Sequence, residues 1–353
     1  MADKHHLPEE IIIDIFVRLP TKPLLRFRCL SKRWNRLISY HFTKSRSRRR
    51  MILLPSDPLQ AIDNTIQGGL TPVHQMTSKF PSSSKNIGSK HVTIVGTFNG
   101  IVLLALKDMI LYNPLTGAFK IVPSSPLKAS HRYPDAYGFC YGTAPDDLKI
   151  VRIRLVKNVY IAFGQPRIWC DVFSLKNGTW STRYTSLVGL RWFIKQYAGT
   201  FVNGVLYWLA VRENMSLILA LDVKKMVFSE IQLPYIHCYV DCLGTSGGHL
   251  YVFREYYDRF ELWMMKEHGI EKEKSWSKVL TSNGLATVRP LAILDEGKIV
   301  MLKDKKQVII YDMWNDSYEV YKLNTSIISS GKLLAMEYVP SLISPSRLCS
   351  SLR

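Results

Sequence analysis

Five times between residues 91 and 340 the chain repeats one local pattern: a short apolar strand that ends on an aromatic or aliphatic residue, then a polar turn, then another short strand. The copies are Ile110-Leu111-Tyr112-Asn113, Asp171-Val172-Phe173-Ser174, Leu219-Ala220-Leu221-Asp222, Glu261-Leu262-Trp263-Met264 and Ile309-Ile310-Tyr311-Asp312. With Tyr112, Phe173, Leu221, Trp263 and Tyr311 taken as equivalent, the intervals are 61, 48, 42 and 48 residues. Four-stranded propeller blades recur at about 40 to 50 residues. A second element precedes most copies, a glycine turn entering an apolar strand: Asn99-Gly100-Ile101, Asn203-Gly204-Val205, Gly247-Gly248-His249 and Glu296-Gly297-Lys298. An unclosed ring would leave strand edges unpaired. The leftover apolar pieces Met51–Leu54 and Leu333–Met336 are therefore expected to share a closing blade. The fold expected is a mostly β domain, a propeller of five or six blades, with a two-sheet sandwich as the alternative.

Residues 7 to 39 read differently, as about three short helices. Pro8 suits a first helical position, Glu9 and Glu10 suit the positive end of the helix dipole, and Leu7, Ile11, Ile12, Ile15, Phe16 and Leu19 recur at helical spacing. Pro20 ends this helix. Pro23 opens a second through Leu24, Leu25 and Phe27 to Cys29, and Ser31 caps a third carrying Trp34, Leu37 and Ile38. A unit below about 40 residues without a staple cannot bury that many apolar side chains alone. It either docks on the following domain or offers its apolar face to another protein, and periodicity does not separate the two.

The six cysteines (Cys29, Cys140, Cys170, Cys238, Cys242, Cys349) are scattered through a chain large enough to bury its own core, so free thiols are expected. Apolar runs of about six residues fall short of the roughly twenty a bilayer span needs, and no membrane partner is expected. The first residues lack a signal-peptide pattern, so the expected location is cytoplasmic, nuclear or both. The sequons at Asn177, Asn214, Asn315 and Asn324 then carry no information. Net charge is +19, and residues 1–50 hold 13 Lys/Arg against 4 Asp/Glu. Such an excess favours acidic partners and can support nucleic-acid binding. The run Lys44 to Arg50 reads as a solvated helix end, with a nuclear import signal or a phosphate-contacting stripe as alternatives.

No motif in the chain supports catalysis, a metal or a cofactor. Gly244-Thr245-Ser246-Gly247-Gly248 matches a hydrolase nucleophile elbow, but that turn needs a helix after it, and the strand-like His249-Leu250-Tyr251-Val252-Phe253 follows. His237, Cys238 and Cys242 form one short cluster with no second pair at zinc-finger spacing. Trp180, Trp192, Trp208, Trp263, Trp276 and Trp314 read as blade core rather than a ligand cage. Arg132, Tyr133, Arg191 and Trp192 are loop residues of the kind that contact a target, but no target-binding residue is assigned.

Leu7-Pro8-Glu9-Glu10-Ile11-Ile12, Arg18-Leu19-Pro20, Lys22, Leu24-Leu25-Arg26-Phe27, Cys29, Lys32, Trp34 and Leu37-Ile38-Ser39 together resemble the F-box of plant F-box proteins. Asp14, Phe16, Pro23 and Leu30 are mild departures from its pattern. The β region resembles the F-box-associated interaction domain. That likeness is carried by Val95-Gly96, Asn99-Gly100, Tyr112-Asn113-Pro114-Leu115-Thr116-Gly117, Tyr137-Gly138-Phe139, Asp146-Asp147, Val202-Asn203-Gly204, Trp208-Leu209, Leu233-Pro234 and Trp263 through Glu267 with Ser275-Trp276. Cys140 and Tyr207 depart from it locally.

The resemblance implies an F-box at 1–45, a basic and Pro/Ser/Gly-rich connection at 46–90, a kelch-like β interaction domain at 91–340 and a tail at 341–353. It also implies the target-recognition subunit of a cullin-based (SCF-type) ubiquitin ligase, a non-catalytic receptor that positions its target. Leu7, Pro8, Ile11, Ile15, Leu19, Pro20, Leu24, Leu25, Cys29 and Trp34 would bind the S-phase kinase-associated adaptor protein, and through it the cullin-RING ligase. Each large side chain buried there is worth about 1.5 to 3 kcal/mol. Association costs of about 4 to 15 kcal/mol remove much of that sum. The alternative is a basic nucleic-acid or ribonucleoprotein binder without a ligase role, although nucleic acid is the less expected partner.

Overall fold

A computed structural model describes residues 7–19, 24, 26–46, 51–54, 60–63, 93–105, 108–126, 135–142, 147–156, 167–186, 192–212, 215–234, 242–256, 259–266, 275–283, 288–294, 297–304, 307–321 and 336–348. Its amino-terminal part is helical, with α1 (Glu9–Arg18) and α2 (Lys32–Arg46). Between them the Arg28 N–H donates to the Leu24 carbonyl at 3.1 Å, closing one helical turn. Pro8 is the residue that precedes α1, one position earlier than the sequence pattern suggests. Ser31 Oγ accepts from the Trp34 N–H at 3.1 Å and caps α2 as expected.

The rest is a propeller of antiparallel meanders. Blade 1 holds β3 (Thr93–Phe98), β4 (Ile101–Ala105), β5 (Met109–Tyr112) and β6 (Phe119–Ile121). Blade 2 holds β7 (Ala136–Tyr141), β8 (Leu148–Val156), β9 (Arg167–Ser174) and β10 (Thr179–Ser186). In blade 3 the first strand is broken into β11 (Trp192–Ile194) and β12 (Thr200–Val202), both paired with β13 (Val205–Arg212), followed by β14 (Met215–Asp222) and β15 (Val227–Gln232). Blade 4 holds β16 (Cys242–Ser246), β17 (His249–Tyr256), β18 (Arg259–Met265) and β19 (Trp276–Asn283). Blade 5 holds β20 (Val288–Ile293), β21 (Lys298–Lys303), β22 (Gln307–Asp312) and β23 (Ser317–Tyr321).

A three-stranded sheet completes the ring. Here β1 (Met51–Leu54) lies between β2 (Gln60–Asp63) and β24 (Met336–Tyr338), with Met51 opposite Tyr338 and Leu53 opposite Met336. The first strands touch in the cycle β24, β3, β7, β12, β16, β20 and back to β24. So β1 and β2 belong to the propeller although they fall inside the expected connection 46–90. Leu333 to Ala335 lie outside the described residues.

Each blade is buried on both faces, which explains the apolar runs. In β13, Leu206, Trp208 and Ala210 pack with Val151, Ile153 and Cys170 of blade 2, whereas Tyr207 and Leu209 pack with Leu243, Leu250 and Val252 of blade 4. Alternate residues of a strand point to opposite faces, so a strand with two apolar neighbours cannot alternate with polar residues. Near the axis the blades come so close that Gly138 leaves no room for a β-carbon, which would lie 2.7 Å from Leu206.

The repeat has a chemical basis in the turn between third and fourth strands. Asn113 Oδ1 accepts from the N–H groups of Leu115 and Thr116 at 2.9 and 3.2 Å. Asp222 Oδ1 does the same for Lys224 and Lys225, Asp312 Oδ1 for Trp314 and Asn315, and Ser174 Oγ accepts from Asn177. Four residues after each acceptor the backbone is left-handed, at Gly117, Gly178, Met226 and Asp316. The hairpins between first and second strands use Asn99-Gly100, Asn203-Gly204 and Gly247-Gly248 with both residues at positive φ, the turn whose twist matches its strands.

Of the tryptophans read as core, Trp208 is fully buried. Trp180 and Trp276 are half-buried, and their indoles donate to the carbonyls of Pro123 and Gln232 of the preceding blade at 2.8 and 3.0 Å. Trp314 departs from the expectation. It is 79 % exposed in the blade 5 turn, where it covers Gly297.

Glycine positions give a direct test of this geometry. Gly100 and Gly204 both have left-handed φ, but a β-carbon on Gly100 would strike Ser341 whereas one on Gly204 meets nothing. In urea unfolding, Gly204→Ala should cost about 1 kcal/mol from backbone strain alone. Gly100→Ala should cost clearly more.

Candidate functional site

The helical unit has two apolar stripes, and they have different fates. Phe16, Leu24 and Ile38 are buried together, joined by Ile12, Leu19, Phe27 and Trp34. Trp34 lies edge-on to Phe16 with ring centroids 5.3 Å apart, and Phe27 is 5.5 Å from Trp34. An Arg33 to Glu9 ion pair at 2.9 Å ties α2 to the first turn of α1. Leu115 from the blade 1 turn and Leu342 from the segment after β24 complete this small core. The unit therefore does dock on the propeller, at one place.

The other stripe stays open. Leu7, just before α1, and Ile11 and Ile15 on it, spaced four residues apart, are 57 %, 47 % and 44 % exposed, and Leu30 is 66 % exposed. Pro8 and Cys29 are exposed as well. Of the ten residues expected to meet a partner, Leu7, Pro8, Ile11, Ile15 and Cys29 are thus at the surface. Leu24 is 2 % exposed and lies in the unit's own core, and Trp34 and Leu19 are half-buried against that core. Their helical spacing reflects internal packing, because a unit this small needs a core of its own before it can present a face. Pro20 and Leu25 lie outside the described residues. Leu30 was absent from the expected set, and its only sequence signal was its place in the family pattern.

Charge in the helical unit is mixed, with Glu9, Glu10 and Asp14 exposed on α1. Lys32 and Arg36 on α2 are exposed, and Arg28, which donates to Asn35 Oδ1 at 2.9 Å, is held below the usual arginine range by burial and by nearby Arg347.

The helical unit sits on the third turn of blade 1, through Leu115. Arg132, Tyr133 and Arg191 lie outside the described residues.

A buried network anchors the start of blade 2. Arg152 pairs with Asp135, Arg154 pairs with Asp135 at 2.8 Å, and Asp171 accepts from Ser125 and Thr182 at 2.8 Å each. Its charges balance, so it reads as a lock that holds Ser125 and Asp135 to the blade. Ser246 ends β16 and leads through Gly247-Gly248 into another strand, with no helix there. Cys242 is buried and in no disulfide, and His237 and Cys238 lie outside the described residues.

Comparison with known proteins agrees with both halves. The F-box domain model matches residues 5–45, and the F-box associated beta propeller domain model matches residues 36–345. The F-box/kelch-repeat protein At3g23880 of Arabidopsis thaliana is 28 % identical over 371 residues, covering 99 % of this chain and 98 % of its own. Also similar are the putative F-box protein At3g16210 (26 % identical, 89 % and 85 % covered) and F-box protein CPR1 (27 % identical, 98 % and 88 % covered), both from Arabidopsis thaliana.

The two stripes should separate in mutagenesis. Leu24→Ala should destabilise the helical unit by about 2 to 5 kcal/mol. Ile11→Ser and Ile15→Ser should each change it by no more than about 0.5 kcal/mol. Hydrogen exchange of α1 and α2 amides in the full chain reads both.

Proposed function

Because this chain belongs to the F-box-associated β-propeller family, we propose that it is the target receptor of an SCF-type ubiquitin ligase. The observation that carries the reading is the exposed stripe Leu7, Ile11 and Ile15, with Leu30, on a unit whose other stripe is consumed by its own core. Contiguous apolar surface of this kind marks a site of protein association. The S-phase kinase-associated adaptor would cover it and link the chain to a cullin-RING ligase.

In this role the chain makes and breaks no bonds. It holds a target on one side and the adaptor on the other, so that target lysines meet the ubiquitin thioester at a high effective concentration. We assign the target to the propeller, apart from the exposed stripe of the helical unit. Contacts there would not compete with the adaptor.

Ile11→Asp and Ile15→Asp should each weaken binding of the purified adaptor by about a hundredfold, since a charge would be buried against apolar side chains. The fold should be unchanged, as both residues are exposed in the free chain. Titration calorimetry with the full chain measures this. A folded wild-type chain that does not bind the adaptor would overturn the reading and bring forward the basic nucleic-acid binder.

A further inference from the structure

The acceptor that shapes the third turn is serine in blade 2 and aspartate in blades 3 and 5, so an oxygen alone is enough to build it. Blade 1 uses Asn113, and its amide nitrogen has separate work. Asn113 is fully buried, and Nδ2 donates to the Ser341 carbonyl at 2.9 Å and to the Ile343 carbonyl at 2.7 Å. An aspartate there would keep the turn and lose both bonds.

The residue between those two carbonyls is Leu342, which packs into the helical core with Leu115. Just upstream, Thr97 Oγ1 of blade 1 donates to the Glu337 carbonyl of β24 at 2.6 Å; within the segment Ser341 Oγ accepts from the Ile343 N–H at 3.1 Å, and Gly100 is bare where Ser341 passes. Beyond it α3 (Pro345–Leu348) lies against β6, and Leu348 packs into the core between blades 1 and 2. The expected tail at 341–353 is thus, as far as residue 348, a built part of the junction.

We propose that residues 339–348 are a positioning strut, clasped to blade 1 by the Asn113 amide, that fixes the orientation of the F-box relative to the propeller. A meander alone holds Leu115 in place, but Leu115 is one side chain at the end of a turn and supplies a pivot. Leu342 supplies a second contact to the same core from another chain segment, and two contacts held by independent segments oppose rotation better than one. The consequence for ubiquitin transfer rests on the receptor reading above: the strut would set which target lysines come within reach.

The test uses the full chain with Cys238→Ser and Cys349→Ser, spin labels on Cys29 and Lys176→Cys, and pulsed dipolar spectroscopy. The wild type should give one narrow distance distribution between F-box and blade 2. Asn113→Asp should about double its width or add a second distance, with propeller melting little changed. Asp312→Asn, the matching exchange in blade 5, should leave the distribution alone. Leu342→Ser should broaden it without touching the turn, and it decides the matter if Asn113→Asp lowers propeller stability. A distribution unchanged in both Asn113→Asp and Leu342→Ser overturns the proposal.

Adaptor affinity, measured on the Asn113→Asp and Leu342→Ser variants without spin labels, should stay within about threefold of wild type, because the exposed stripe is not altered. Lack of adaptor binding by the wild type would remove the ligase reading alone, since the distance measurement stands without the adaptor. In a reconstituted ligase, the self-modified lysines mapped by mass spectrometry should shift in both strut variants. An unchanged lysine pattern alongside a broadened distribution would overturn the strut's role in transfer.

Discussion

The short ladder between β1 and β24 is the constraint on which the other parts depend. Blades that are apolar on both faces have no solvent side, so a ring left open would expose one complete face of a blade and the edges of its strands. Closure here joins the two ends of the ordered propeller sequence through three residue pairs, Met51 with Tyr338, Ile52 with Glu337 and Leu53 with Met336. Both strands of that ladder also lead to the helical unit. Upstream, β1 begins five residues after α2 ends, and downstream, β24 runs directly into the segment that carries Leu342. Closing the ring and placing the F-box are therefore one structural event.

What the chain's repeats reveal about the fold follows from local chemistry. Tyr112, Phe173, Leu221 and Tyr311 each stand opposite the residue seven positions on, because an oxygen-bearing residue next in line closes the same turn each time. That residue is visible in the sequence as Asn, Ser or Asp, and the glycines at Gly117 and Gly178 mark the left-handed position. Blade 4 is the exception. Trp263 pairs with Lys278 beside a register shift, and the connection between β18 and β19 is longer. The copy was recognisable from its aromatic residue, but the sequence held no sign of the altered pairing.

The helical unit was harder to read for a physical reason. Helical spacing reports which residues are apolar on one turn after another, and α1 is apolar on two stripes. Ile11 and Ile15 point out while Ile12 and Phe16 point in, and nothing in their side-chain chemistry tells them apart. The distinction depends on Leu24, Ile38 and Trp34 arriving from elsewhere in the chain. Long-range pairings were opaque for the same reason: β1 is read easily as a strand, but Ile52 pairs with Glu337, 285 residues away.

Asn113 shows where a repeat stops being only a repeat. Turn chemistry accounts for an acceptor at that position in every blade that has the motif, and it does not account for a donor. The donor is explained by two carbonyls from the far end of the chain, in a place where burial makes an unmatched amide or an unmatched carbonyl costly by about 1 to 3 kcal/mol. Blade 1 is also the blade against which the helices sit and one of the two blades next to the closing sheet. A departure from the turn's minimal requirement thus falls at the junction of all three structural units. That coincidence is what separates a residue kept for the blade from one kept for the assembly of blade, strut and F-box.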